Sequence, residues 1–215
     1  MSLPVRVLAE EHRVVVIDKP AGVTSEDVAR ALGRRLVHRI DRATSGLLLL
    51  ADDARTVQRM QRLLASAQVT RTYLALARGR VSPGVIDRAL VDAAGQRRRG
   101  SVPAGTSGAK AAQTIVDVVA GGWAFSLVRA TLVTGRTHQV RIHLADTGHP
   151  IVGDPIYGGD AVDDAPRLML HAWRLAFVHP NTHEPVTFCA PPPDDFADVV
   201  AHRCSPDALP SCESA

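Results

Sequence analysis

The run Leu47-Leu48-Leu49-Leu50-Ala51 carries no polar side chain, and a run this short and wholly apolar reads as a strand buried inside a folded core. Directly ahead of it stands Val37-His38-Arg39-Ile40-Asp41-Arg42-Ala43-Thr44-Ser45-Gly46, in which one carboxylate sits between two arginines and a Thr-Ser-Gly turn follows. An ordinary turn accounts for such a decapeptide, because Asp and Ser bond readily to nearby backbone. The other reading is chemical: an acid at the edge of a buried strand, flanked by cations that favour its charged form, is a carboxylate kept ionised for use.

The rest of the chain alternates short strand-like runs with few helical ones. β-Branched runs at 5–8 and 14–17, broken by polar residues at 10–13, predict an opening pair of strands. Thr24-Ser25-Glu26-Asp27 has the form of a capping box, and Val28 with Leu32 ahead of Gly33 predicts a short helix. Asp52-Asp53 caps a second helix to about Ala67, with Val57, Met60 and Leu64 inward and Arg55, Arg59 and Arg62 on one exposed face. Further strands are predicted at 72–77, 85–90, 112–119, 125–133, 168–178 and 186–188, with the Gly-, Ser- and Arg-rich stretch 93–108 as a mobile loop. Thr137 is placed to cap a helix from His138 to Asp146 that puts His138, Arg141 and Ala145 on one face, and a last helix spans 194–200. The fold class is α+β, a mixed, mainly antiparallel sheet flanked by helices rather than a doubly wound parallel one. Residues 1–201 form one domain and 202–215 a disordered tail.

A chain of 215 residues with 46% apolar content buries one substantial core, or a core with a minor lobe. Net charge is only +3, but of 25 basic residues just Lys19 and Lys110 are lysines. Guanidinium binds phosphate bidentately and stacks on bases, which suits an RNA partner, although a GC-rich genome produces the same bias. Position says more than number: Arg30, Arg34, Arg35, Arg39 and Arg42 crowd Asp41, and Arg97, Arg98 and Arg99 lie in the predicted loop. Cys189, Cys204 and Cys212 make neither a disulfide framework nor a metal-binding spacing. Charged residues interrupt the first eleven positions and no later run approaches a membrane span, so a soluble cytoplasmic protein is expected.

A second dense segment, Thr134-Gly135-Arg136-Thr137-His138-Gln139-Val140-Arg141-Ile142-His143-Leu144, ends in Gly148-His149-Pro150-Ile151-Val152-Gly153-Asp154-Pro155. With the Asp41 loop it resembles the RluA-type pseudouridine synthase family, whose members carry His-Arg-Leu/Ile-Asp-x-x-Thr-Ser-Gly and later Gly-Arg-x-His-Gln-x-Arg-x-His. Lys19-Pro20-Ala21-Gly22, Arg71-Thr72-Tyr73 and Arg167-Leu168-Met169-Leu170-His171-Ala172 are similar to three more of its segments, in the family's order.

The resemblance implies a pseudouridine synthase fold with a catalytic cleft across the sheet, and the isomerisation of specific uridines in rRNA or tRNA without metal or other cofactor. It implies that Asp41 is the catalytic carboxylate, adding to the ribose or abstracting a sugar proton to give a glycal. Arg141 would pair with it, and Tyr73 would stack on the uracil and help remove the C5 proton. A stacked uridine hides its C1′, so the nucleotide must be extruded. Arg39 would then enter the vacated stack, Arg136 and His138 would contact phosphate or the flipped nucleotide, Thr44 would lie on the substrate side, and Ile142 and Leu170 would wall the base pocket. Many members of the family have an S4-type RNA-binding domain ahead of this pattern, which here begins almost at once, so either target selection is expected to lie in the catalytic domain or RNA affinity is expected to be modest. The expected partner is RNA, with no membrane, no obligate protein partner, and a monomeric state. Two rival readings remain: an RNA-binding protein without chemistry, and a metalloenzyme built on His138, His143, His149 and His171. The spacing of five between the first two does not align them on a helix face.

Overall fold

The computed structural model describes residues 5–92, 99–159 and 164–212. In chain order the elements are β1 (Arg6–Glu11), β2 (Val14–Lys19), α1 (Ser25–Ala31), β3 (Arg35–Leu36), β4 (Ser45–Ala51), α2 (Ala54–Ala65), β5 (Val69–Arg78) and β6 (Gly84–Asp92). There follow β7 (Arg99–Pro103), β8 (Gln113–Gly121), β9 (Phe125–Leu132), α3 (Gln139–Asp146), β10 (Leu170–Val178), β11 (Pro185–Cys189) and α4 (Asp194–Arg203). Contacts divide the chain into two compact units, one reaching Arg71 and resuming with His171–Pro192 and from Ser211, the other made of Thr72–Leu170 and Pro193–Pro210.

In the first unit the strands run in the order β1-β2-β4-β10, with β11 beside β10 and β3 beside β4. The β1–β2 turn falls on His12 and Arg13, both at positive φ. Leu47 to Ala51 is wholly buried, as its composition requires. Val15 and Ile17 of β2 and Leu48 and Leu50 of β4 face Val28 and Ala29 of α1 in one apolar cluster. Fully burying each such leucine contributes about 2 kcal/mol, so this cluster is the anchor on which the preceding Asp41 loop rests. The Thr24 cap forms as read, its hydroxyl accepting from Asp27 N–H at 3.0 Å, and Asp53 caps α2 by accepting from Thr56 N–H at 2.8 Å. That bond and the nearby Arg13 hold the Asp53 carboxyl down to about 2.

The second unit carries the order β5-β9-β8-β6-β7. Strand pairing is antiparallel along β6, β7, β8 and β9, and the parallel pairing of β4 with β10 in the first unit makes the architecture mixed. With four helices among the described residues, this is the α+β class expected. β7 corrects the reading of 93–108 as loop: its residues pair with β6 from Arg88↔Pro103 to Asp92↔Arg99. Arg97 and Arg98 lie outside the described residues.

The C-terminus differs from expectation. α4 continues to Arg203, Ala208 is buried, and the chain is described to Cys212, where a disulfide joins it to Cys189 across a sequence separation of 23. Spacing could not reveal this, because the β10–β11 hairpin is what carries Cys189 to within 5.7 Å (Cα–Cα) of Cys212. Among the described residues no helix is long and apolar enough to cross a membrane.

Candidate active site

Asp41 occupies a loop clamped on both sides. Before it, Ser25 Oγ donates to Ile40 O at 3.0 Å and accepts from Ile40 N–H at 3.2 Å. After it, Arg42 O accepts from Gly22 N–H at 2.8 Å and from Lys19 Nζ at 3.3 Å, and Arg42 Nε donates back to Gly22 O at 2.8 Å. Lys19, with no exposed surface, also donates to Pro20 O at 2.7 Å and Val23 O at 2.8 Å. The ammonium therefore acts as a hub that ties the start of α1 to the Asp41 loop, which is the physical content of the Lys19-Pro20-x-Gly22 motif. Asp41 O accepts from Thr44 N–H at 3.0 Å to close the turn, and the side chain of Asp41 is half-buried.

The far end of the loop is locked to β10. Ser45 Oγ lies 2.9 Å from His171 Nδ1, and His171 Nε2 lies 2.9 Å from Ala190 O. A carbonyl only accepts, so Nε2 carries the proton and Ser45 donates to Nδ1. Gly46 stands at φ +104°, and a Cβ there would overlap the backbone of Ala172. Glycine at this position lets β4 approach β10, in the parallel register His171↔Ser45 and Ala172↔Gly46. His38 braces the near side by accepting from Leu49 N–H at 3.1 Å. Burial, with the charge of Arg71, lowers its pKa to about 4, so the ring is neutral as that bond requires. Thr44 is buried and its hydroxyl has no hydrogen-bond partner among the described residues.

The arginines around Asp41 are less available than their number suggested. Arg30 pairs with Asp27 at 2.7 Å, Arg34 pairs with Asp52 and, at 2.5 Å, with Glu10, and Arg39 lies 3.2 Å from Glu26. Arg39 remains exposed. On α2, Arg59 is taken up by Asn181 at 2.7 Å, while Arg55 and Arg62 are exposed.

In the second unit α3 presents Arg141 in a fixed pose. Its Nε and Nη2 donate to the two carboxylate oxygens of Asp154 at 2.8 Å each, and both side chains are buried. Burial pushes the Asp154 carboxyl up, but Arg141 and the amides of Ile156 and Tyr157 outweigh it and hold the pKa below its ordinary value. The guanidinium also lies 5.2 Å from the centre of the Tyr157 ring, whose hydroxyl is 3.0 Å from His138 Nδ1. The sequence drew attention to Arg141 and His138 but missed Asp154 and Tyr157, which stand in the quoted Gly153-Asp154 motif and just after it.

Thr137 does not cap α3. The N-cap is His138, in the left-handed region at φ 59°, with no side-chain cap bond. Gln139 supplies the order instead: its Oε1 accepts from Arg136 N–H at 3.1 Å and Thr134 Oγ1 at 2.8 Å, and its Nε2 donates to Gln113 O and Thr114 Oγ1 at 2.9 Å. Thr114 in turn bonds His143 Nδ1 at 2.9 Å, and His143 Nε2 donates to Arg88 O at 3.0 Å. Both ring nitrogens of His143, like those of His171, are committed to protein oxygens, so neither offers a lone pair to a metal. Among the described residues no group of three His, Cys, Asp or Glu side chains could hold a metal ion.

Of the remaining candidates, Arg136 is exposed and donates to Ala111 O at 3.1 Å, and Tyr73 is half-buried on β5. Ile142 is fully buried in a core cluster with Leu90, Ala112 and Tyr157, and Leu170 is buried at the start of β10.

A fold of this class recurs in known proteins. Residues 13–146 match the RNA pseudouridylate synthase family. The chain is 33% identical to ribosomal large subunit pseudouridine synthase D of Nitrosomonas europaea over 93% of its own length and 65% of that protein. It is 36% identical to an uncharacterised RNA pseudouridine synthase of Zymomonas mobilis over 90% of this chain and 96% of that one. Among solved structures, human RNA pseudouridylate synthase domain containing 1 superposes with a TM-score of 0.79 at 30% identity, covering 99% of this chain and 93% of that one. The chain belongs to the RNA pseudouridylate synthase family, in its RluA-type branch. It spans less than two thirds of the length of the first curated relatives it matches, 65% of the Nitrosomonas protein and 60% of one from Neisseria meningitidis.

Proposed function

We propose that the chain isomerises uridine to pseudouridine in RNA, with the Asp41 carboxylate acting on the ribose of an extruded nucleotide. The observation that carries this reading is the Asp41 loop: it lies inside the segment that matches the family, and Ser25 on one side and Lys19 and Gly22 on the other fix its backbone. The reaction breaks the C1′–N1 bond, turns the base and rejoins it through C5, with no net gain of atoms or electrons. A carboxylate held in a fixed direction is what such a step asks of the protein.

Tyr73 and Arg141 are the further catalytic candidates. Arg39, Thr44, Arg136 and His138 are the candidates for contact with the RNA, and Ile142 and Leu170 for the apolar wall. Ribosomal large-subunit RNA is the first substrate class to test, because the Nitrosomonas and Neisseria relatives bear that name, with transfer RNA as the second. On this reading the protein acts in the cytoplasm as a monomer.

The test is to incubate the protein with cellular RNA and map carbodiimide-stable adducts at uridines, for wild type and Asp41→Asn. Wild type marks discrete uridines, and the variant loses about a thousandfold or more in rate. Equal modification by both proteins removes Asp41 from its role. No modification by either, in any RNA class, leaves a binding protein.

A further inference from the structure

The hairpin that joins β8 to β9 holds out an indole. Trp123 is 85% exposed, whereas the chain's other tryptophan, Trp173, is 1% exposed. Leaving so large an apolar surface in water is unfavourable, and a flexible tip would fold it back. This tip is braced: Gly122 N–H donates to Phe125 O at 2.8 Å, Gly79 N–H to Ala124 O at 2.7 Å, Ser126 Oγ to Gly79 O at 2.8 Å, and Val81 N–H to Ser126 Oγ at 3.0 Å.

Those bonds fix the residues on either side of Arg80, whose guanidinium carbon lies 5.1 Å from the centre of the Trp123 ring. A second guanidinium, that of Arg203, lies 4.7 Å from the Phe125 ring at the base of the same hairpin. Beside Trp123 opens a cavity of about 480 Å³ whose floor includes Val81, Pro83 and Val118, and Arg80 is the one charged group among the described residues that line it. An indole that stays 85% exposed with a guanidinium over its ring, on a braced hairpin and with no lining carboxylate, is complementary to a base with its phosphate. Sequence-tolerant recognition of single strands uses this combination.

We propose that Trp123 and Arg80 form an auxiliary contact for single-stranded RNA, a base stacking on the indole and its phosphate meeting Arg80. The contact rests on the reading that RNA is the substrate. It would lend affinity for unpaired nucleotides near the target without reading their sequence.

The full chain reports on this site directly, since Trp123 is the exposed fluorophore. A ten-nucleotide oligoadenylate, which contains no uridine, is expected to quench its emission, and an RNA duplex of equal length is not. Trp123→Ala should weaken oligoadenylate binding about tenfold and raise KM for ribosomal RNA by a similar factor with kcat held, while Trp123→Phe stays within about threefold of wild type. Arg80→Ala should weaken binding and reduce the salt dependence by about one released ion. Unchanged emission, or Trp123→Ala binding as tightly as wild type, overturns the proposal. So does loss of self-association in Trp123→Ala with RNA affinity intact, which would make the hairpin a protein-docking surface. A wild type that modifies no RNA strikes the catalytic reading instead, and the quenching experiment still decides this one.

Discussion

At the scale of single residues, Lys19 concentrates the most consequence in one side chain. Three backbone carbonyls converge on its buried ammonium. Lys19→Met keeps the volume and strips those acceptors of their donor, so it should cost about 3 kcal/mol in a denaturation experiment and slow the proposed isomerisation by loosening the Asp41 loop. His38 gives the molecule a pH dependence whose sign is fixed. Folded, its pKa is about 4 against an ordinary 6.5, so as pH falls the unfolded chain takes up the proton first. Its contribution is complete above about pH 6.5 and is lost as pH drops toward 4, by at most about 3 kcal/mol. Urea midpoints across that range should fall more steeply for wild type than for His38→Gln. His143 is also held neutral by burial and adds a fall in the same direction that the variant retains.

At the scale of elements, α3 is the most informative. Its buried Arg141–Asp154 pair fixes the helix to the turn before Tyr157, and Asp154→Asn removes the buried carboxylate that accepts from both Nε and Nη2 of Arg141. Loss of about 3 kcal/mol in the unfolding free energy is expected, well beyond what an exposed pair such as Arg30–Asp27 would show. The sequence made α1 and α2 legible because Thr24 and Asp53 cap their own helices within three residues. The start of α3 was not legible, since its order comes from Gln139 reaching back to Thr134 and Arg136 and across to Gln113. β7 escaped for a related reason: an Arg- and Gly-rich stretch has no strand period, and its pairing with β6 is what makes it a strand.

At the scale of the whole molecule, the motifs were legible as a set while the relations between them were not. Asp41 stood out in its decapeptide, but nothing local announces that Ser45 needs His171, 126 residues on. Nor does local sequence join Cys212 to Cys189. Closing that 23-residue separation should add about 3 kcal/mol, so reductant should lower the unfolding midpoint of wild type and of Cys204→Ser but leave Cys212→Ser unmoved. The Ser45–His171 lock also sets a timetable. A ribosome releases the chain from its N-terminus, so the Asp41 loop leaves the exit tunnel long before β10 and the Ala190 carbonyl that orients His171. Until they arrive, the loop lacks its tie to β10, and stalled nascent chains ending near residue 165 should be cut by protease within 41–46, where finished chains resist. The order of the Asp41 loop is thereby completed only by a residue made 126 positions later.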